Sequence, residues 1–171
     1  MANTLNDYAD ELLECFGLRL AAWGHPVKDL TIRAGDEIAW DQCDSKSCGQ
    51  AWVRLVQLGP SDSFPLLADQ QNECFRSQFV ATYELGVLRC WPTITNSGAP
   101  GDPVKRTDTT HTVHDDAVAA LEAVQCCWTD LHPDEDWQIG LWTPAGPAGG
   151  CVGGALQVQL QYTFCCPEDA A

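Results

Sequence analysis

The fold is decided by the stretch Ala155-Leu156-Gln157-Val158-Gln159-Leu160-Gln161-Tyr162-Thr163-Phe164. Leu156, Val158, Leu160, Tyr162 and Phe164 alternate without a break with Gln157, Gln159, Gln161 and Thr163. Successive side chains of an extended chain point to opposite faces, so the segment is a strand with one face in a core and the other neutral and polar. Three glutamines in line, in a chain otherwise loaded with carboxylates, avoid repulsion where another subunit or sheet packs close. A plain solvated sheet face would produce the same pattern.

Working upstream, Asp136 to Trp142 reads as a partner strand, joined to the first by a flexible connection containing Pro144, Pro147, Gly149, Gly150, Gly153 and Gly154. Gln78 to Trp91 is a long strand in which Phe79, Ala81, Tyr83, Leu85 and Val87 share a face. Ala51 to Leu58 is rich in strand formers and is closed by Gly59-Pro60, and a short strand is expected around Leu30 to Arg33. Asp41 to Gln50, polar and containing Cys43 and Cys48, reads as a loop.

Two segments have helical spacing instead. Leu5, Tyr8, Ala9, Leu12, Leu13, Phe16 and Leu20 form one stripe, with Asp7, Asp10, Glu11 and Glu14 largely opposite. Thr4 and Asp7 resemble a capping pair, and Gly24-His25-Pro26 ends the helix after about Trp23. A second helix is expected to start at His114-Asp115-Asp116, whose carboxylates suit a helix N-terminus, with Ala117, Val118, Ala120, Leu121, Val124 and Cys127-Trp128 on its apolar side. Pro92 to Thr110 is rich in Thr, Gly, Pro and Asp, and Lys105-Arg106 is its only basic pair, so an exposed loop or hairpin arm is expected over 92–110. This order predicts one α+β domain over 1–171, with both helices packed on one face of a largely antiparallel sheet.

Composition narrows function. Nine Lys and Arg against 24 Asp and Glu leave a formal charge of -15, which repels phosphate backbones and anionic lipid headgroups. No apolar run approaches the roughly 20 residues that span a bilayer, and acidic residues at the N-terminus replace the basic start of a leader, so cytoplasmic synthesis is expected. Ten cysteines are many for a reducing compartment. A protein made in a cell and later carried outside it in a released particle would reconcile the two.

The chain offers little that converges on catalysis. Cys43-x4-Cys48 could supply two thiolates to zinc, with Cys74, Cys90 and His132 as further ligands, or close a local disulfide, or remain reduced. In Cys126-Cys127 and Cys165-Cys166 neighbours point in different directions, so each member packs or bonds elsewhere. Cys15, Cys90 and Cys127 are expected as buried small hydrophobes. His111-x2-His114-Asp115-Asp116 lacks the remaining ligands of a metal hydrolase and is better read as a helix start, while His25 and His132 each precede a proline in a turn. Gly149-Gly150-Cys151-Val152-Gly153-Gly154 has no Lys-Ser/Thr and leads into a strand, so it is a turn and not a phosphate cradle. No catalytic residue, cofactor or metal site is therefore assigned.

Cys48-Gly49-Gln50-Ala51-Trp52-Val53-Arg54-Leu55 running to Ser63-Phe64-Pro65, Tyr83-Glu84-Leu85-Gly86-Val87-Leu88-Arg89-Cys90-Trp91-Pro92, Cys126-Cys127-Trp128 and the closing strand together resemble neck proteins of long-tailed phages of actinobacteria, above all their tail terminators. The resemblance covers nearly the whole chain, although no short motif is diagnostic by itself. It implies a non-enzymatic virion protein, assembled in the host cytoplasm. Such a protein forms a hexameric ring of identical subunits at the head-proximal end of the tail tube, halts polymerisation of the major tail tube protein and docks the head-completion or stopper protein. DNA would pass through its channel without specific binding, which high negative charge favours. The wider family is not cysteine-rich, and in that respect this chain departs from it. Another neck component, such as a stopper or connector, or a zinc-stabilised binding module, are the alternatives. The Gln-bearing strand face and the 92–110 segment are the expected ring contacts.

Overall fold

A computed structural model describes residues 4–35, 38, 43–44, 47–68, 78–92 and 101–163. Helix α1 (Leu5–Ala22) opens with the expected box: the Thr4 hydroxyl accepts from the Asp7 amide at 3.2 Å, and the Asp7 carboxylate accepts from the Thr4 amide at 2.6 Å. The bond from the Thr4 amide, which contributes most, and a second bond that the Thr4 hydroxyl donates to the same carboxylate at 2.8 Å hold the Asp7 carboxyl below its ordinary value. Tyr8, Ala9, Leu12, Cys15, Phe16 and Leu20 are its buried residues, close to the stripe read from the sequence.

The strands are β1 (Asp29–Ile32), β2 (Cys43–Asp44), β3 (Ser47–Cys48), β4 (Gln50–Ser63), β5 (Leu66–Leu67), β6 (Gln78–Cys90), β7 (Trp137–Ala148) and β8 (Cys151–Thr163). The main sheet runs β1-β4-β6-β8-β7, with β5 folded against β4. Among the described strands only β1 is parallel to its neighbour; β4, β6, β8 and β7 are successively antiparallel. Helix α2 (Pro103–Glu122) continues through a π-helical segment (Ala123–Trp128) into the short α3 (Thr129–Leu131).

Both long helices cover the same sheet face. Leu12, Phe16 and Leu20 of α1, Ala119 and Ala120 of α2, and Val124 and Trp128 of the π segment join Ala51, Val53, Ala81, Tyr83, Leu85, Val87, Leu156, Val158 and Leu160 in one core. Burial of such side chains contributes about 1.5–3 kcal/mol each, and this dominates the stability of the layer. Polar ties fix the helices on it: Tyr83 donates to the Leu5 carbonyl at 2.7 Å, and Trp23 donates to Glu122 at 3.1 Å. The α+β architecture expected from the sequence is the one observed.

Several boundaries differ from expectation. Gly59-Pro60 does not close β4, which runs on to Ser63 because Gly59 and Pro60 remain paired with Val80 and Phe79. The polar segment 41–50 is not all loop: it holds the two short strands β2 and β3, and Gln50 begins β4 as a fully buried residue. Helix α2 does not start at His114; Asp102 caps it through a 2.9 Å bond from the Val104 amide, with Pro103 as its first residue. The loop or arm expected over 92–110 is therefore helix from Pro103 onward, while residues 93–100 lie outside the described residues. Within α2 the burial phase is also shifted, since Ala119 is buried and Val118 exposed.

The connection expected between β7 and β8 is mostly strand. Only Gly149 and Gly150 turn, with φ of 56° and 79°, values that L side chains disfavour and a tight hairpin requires. Gly153 and Gly154 sit inside β8 for a different reason: a β carbon on Gly153 would collide with the Val87 carbonyl, and one on Gly154 would enter the Trp142 indole at 2.5 Å.

Candidate assembly interface

Several of the described groups that could have carried chemistry join elements instead. Arg89 on β6 grips Asp116 of α2 with two bonds of 2.8 and 2.6 Å, and donates to the His25 carbonyl at 2.6 Å. Burial pushes the Asp116 carboxyl up, and the Arg89 guanidinium opposes that push. Neighbouring Asp115 meets His25 Nε2 at 3.1 Å, so the His-Asp-Asp motif lies in mid-helix and locks the chain after α1. His114 is exposed. His132 is buried, stacked on Trp128 at 3.9 Å, and its two ring nitrogens face Glu11 at 2.6 Å and Glu135 at 3.2 Å. Burial and the Glu135 hydrogen bond push the Tyr8 hydroxyl of this cluster up.

The cysteines correct one expectation and support another. Cys15 and Cys127 are not separate packing groups: they form a disulfide, with Cα atoms 5.6 Å apart, that ties α1 to the π segment. Cys90 is disulfide-bonded too, as is Cys151. The two members of the Cys126-Cys127 pair point apart as expected, but Cys126 is a free, exposed thiol and does not pack or bond elsewhere. Cys43 and Cys48 are register partners across the β2–β3 ladder. Cys74, Cys165 and Cys166 lie outside the described residues. Among the described residues no group of three His, Cys, Asp or Glu side chains could hold a metal ion.

On the sheet face away from the helices, Trp52 donates to Glu84 at 2.9 Å, and Arg54 grips the same carboxylate at 2.7 and 3.0 Å. Trp52 lies flat because its register partner Gly86 has no side chain: a β carbon there would sit 2.1 Å from the indole. Trp52, Arg54, Glu84, Leu88 and Gln157 line a hollow of about 280 Å³. Of the expected glutamine face, Gln157 is exposed and Gln159 and Gln161 are half-buried.

The two sides of the sheet, not its faces, carry the most unusual surface. Strand β1 covers β4 only from Gln50 to Val53, so no described strand pairs with Arg54 to Gly59 on the side away from β6. Leu55, Val56 and Leu58 are exposed there, next to Leu66 and Leu67 on β5. At the opposite end β7 is the last of the described strands, and its Leu141 is 86% exposed. Edge strands of soluble proteins are normally guarded by charged side chains, above all Lys. Here neither Leu55 to Pro60 nor the whole of β7 contains a charged residue, in a chain with 24 acidic ones. The sequence reading missed this surface, although the absence of charge from 137–148 was visible in it.

Comparison of the chain with protein-family models and with curated proteins finds no match.

Proposed function

We propose that this chain is a structural assembly subunit: a phage tail terminator that forms a ring at the head-proximal end of the tail tube. The observation that carries the proposal is the uncharged, apolar ridge of Leu55, Val56 and Leu58, with Leu66 and Leu67 beside it, along a stretch of β4 edge that no described strand pairs. An exposed apolar edge of this kind is an aggregation hazard unless another chain covers it. The resemblance of the 48–65, 83–92 and 126–128 segments to neck proteins supplies the identity of the assembly, and its hexameric state. A formal charge of -15 per copy keeps a ring channel from retaining DNA. The tail tube protein on one side and the head-completion protein on the other are its proposed partners.

Native mass measurement tests this directly, with the purified chain alone and after adding tail tube protein. Hexamers in either condition are expected. A chain that stays monomeric in both refutes the assembly role, and capture by purified heads in preference to purified tails refutes the terminator assignment.

A further inference from the structure

The two uncharged edges share a second peculiarity. Each is broken by a β-bulge, and each bulge turns out a large apolar side chain. On β4 the register passes from Leu55 opposite Tyr83 to Gln57 opposite Thr82, which leaves Val56 as the extra residue. On β7 it passes from Ile139 opposite Val158 to Trp142 opposite Leu156, which leaves Gly140 and Leu141 against Gln157. Bulges re-aim side chains and commonly protect an edge. These present Val56, 43% exposed, and Leu141, the most exposed large apolar side chain among the described residues.

The shapes differ in a complementary sense. Leu141 stands out from its edge, whereas the β4 edge carries an open hollow of about 260 Å³ lined by Gly35, Arg54, Leu55 and Val56. We infer that copies of this chain join head to tail, with Leu141 on the β7 edge of one copy seated in the Gly35–Arg54–Leu55–Val56 hollow on the β4 edge of the next. The inference rests on the assembly reading above and names its joint.

Charge selects a second copy as the occupant. Two chains of -15 repel over most of their surfaces, and close approach is favoured where both are neutral. The two neutral strips are comparable in length: Leu55 to Pro60 is six residues, and Pro144 and Pro147, which cannot donate to a ladder, restrict the usable part of β7 to the seven residues from Trp137 to Thr143. A projection and a hollow are different surfaces, so the contact is heterologous, and repetition of it generates a ring or a filament instead of a two-fold dimer.

The test uses the full chain and four forms: unmodified, Val56→Glu, Leu141→Lys, and the double variant. Each single variant buries one charge against an apolar strip and is expected to weaken assembly at least tenfold by sedimentation or native mass measurement. The double variant sets opposite charges against each other at every head-to-tail joint and is expected to recover assembly. In a self-paired, two-fold contact it would set like charges together and recover nothing. Hydrogen exchange of the unmodified chain should slow over both 54–59 and 137–143 on assembly. Equal melting temperatures confirm that the variants fold; a variant that does not is replaced by Val56→Thr or Leu141→Ser, with the same expected loss. Single variants that assemble like the unmodified chain, a folded double variant as monomeric as the singles, or unchanged exchange in either segment overturns this joint while leaving the assembly role standing. An unmodified chain that never assembles overturns both.

Discussion

Replacing both Cys15 and Cys127 by alanine removes one cross-link between residues 112 apart in sequence. In the chain-entropy description a cross-link stabilises by restricting the unfolded ensemble, and a loop of this length corresponds to about 5 kcal/mol at 25 °C. A further cross-link within this loop would change the figure little, since each halving of the loop reduces the stabilisation by only about 0.6 kcal/mol. The expected loss is therefore about 3–5 kcal/mol, and at about 2–4 °C per kcal/mol for a domain of this size the melting temperature should fall by about 6–20 °C. The assay is thermal unfolding by circular dichroism without reductant, beside the unmodified protein with and without reductant. Reductant should lower the unmodified melting temperature by at least as much as the double substitution does. A double variant that melts within about 3 °C of the unmodified protein would refute the claim that this bond constrains the unfolded chain.

Three further outcomes are expected. Asp116→Ala takes the carboxylate from a buried Arg89 and should cost about 3–5 kcal/mol in urea unfolding, with Asp116→Asn costing less because it keeps a hydrogen-bond acceptor. Gly153→Ala forces a methyl group onto the Val87 carbonyl and should cost about 1–3 kcal/mol by overpacking, read as a lower urea midpoint at unchanged slope. Asp7→Ala should destabilise the protein at neutral pH and not in acid. Since folding lowers the Asp7 pKa, its contribution is present above the ordinary value of 3.8 and is lost as pH falls through the lowered folded value. Parallel urea curves from neutral pH into acid would show the difference between variant and unmodified chain shrink as pH falls.

What could be read from sequence followed which faces are covered. Strand β8 was legible because its core side, Leu156, Val158 and Leu160, is buried while Gln157 is exposed. In β6 the same alternation captured only half the truth: Val80, Thr82, Glu84 and Leu88 on the other face are buried as well. The first half of α2 gave no apolar stripe, since most of Asp102 to Asp108 faces solvent, and its threonines have low helix propensity. Thr107, Thr109, Thr110 and Thr112 instead return their hydroxyls to the carbonyls four residues earlier. The usable signal was Asp102-Pro103, a cap followed by proline at the first helical position. Pro60, Pro144 and Pro147 were misread as terminators because an edge strand tolerates what a central strand does not. The proposed joint was illegible for another reason: bulges at Val56 and Leu141 arise from cross-strand register, which no local pattern encodes.

The π-helical segment at Ala123–Trp128 acts as a phase adjuster between two halves of one rod. Each residue of an α-helix advances about 100° around the axis, so a wider turn rotates everything after it relative to everything before. Upstream, Asp116, Ala119 and Ala120 are buried; downstream, Trp128 is buried in the core and His132 stacks on it, while Cys127 and not Cys126 meets α1. A π turn takes in one residue more than an α turn, so deleting one residue from this segment would let it close as ordinary α-helix with Trp128 and the disulfide still in phase. The same deletion further upstream in α2 has no wider turn to absorb it and would carry Cys127 and Trp128 round the axis, away from α1.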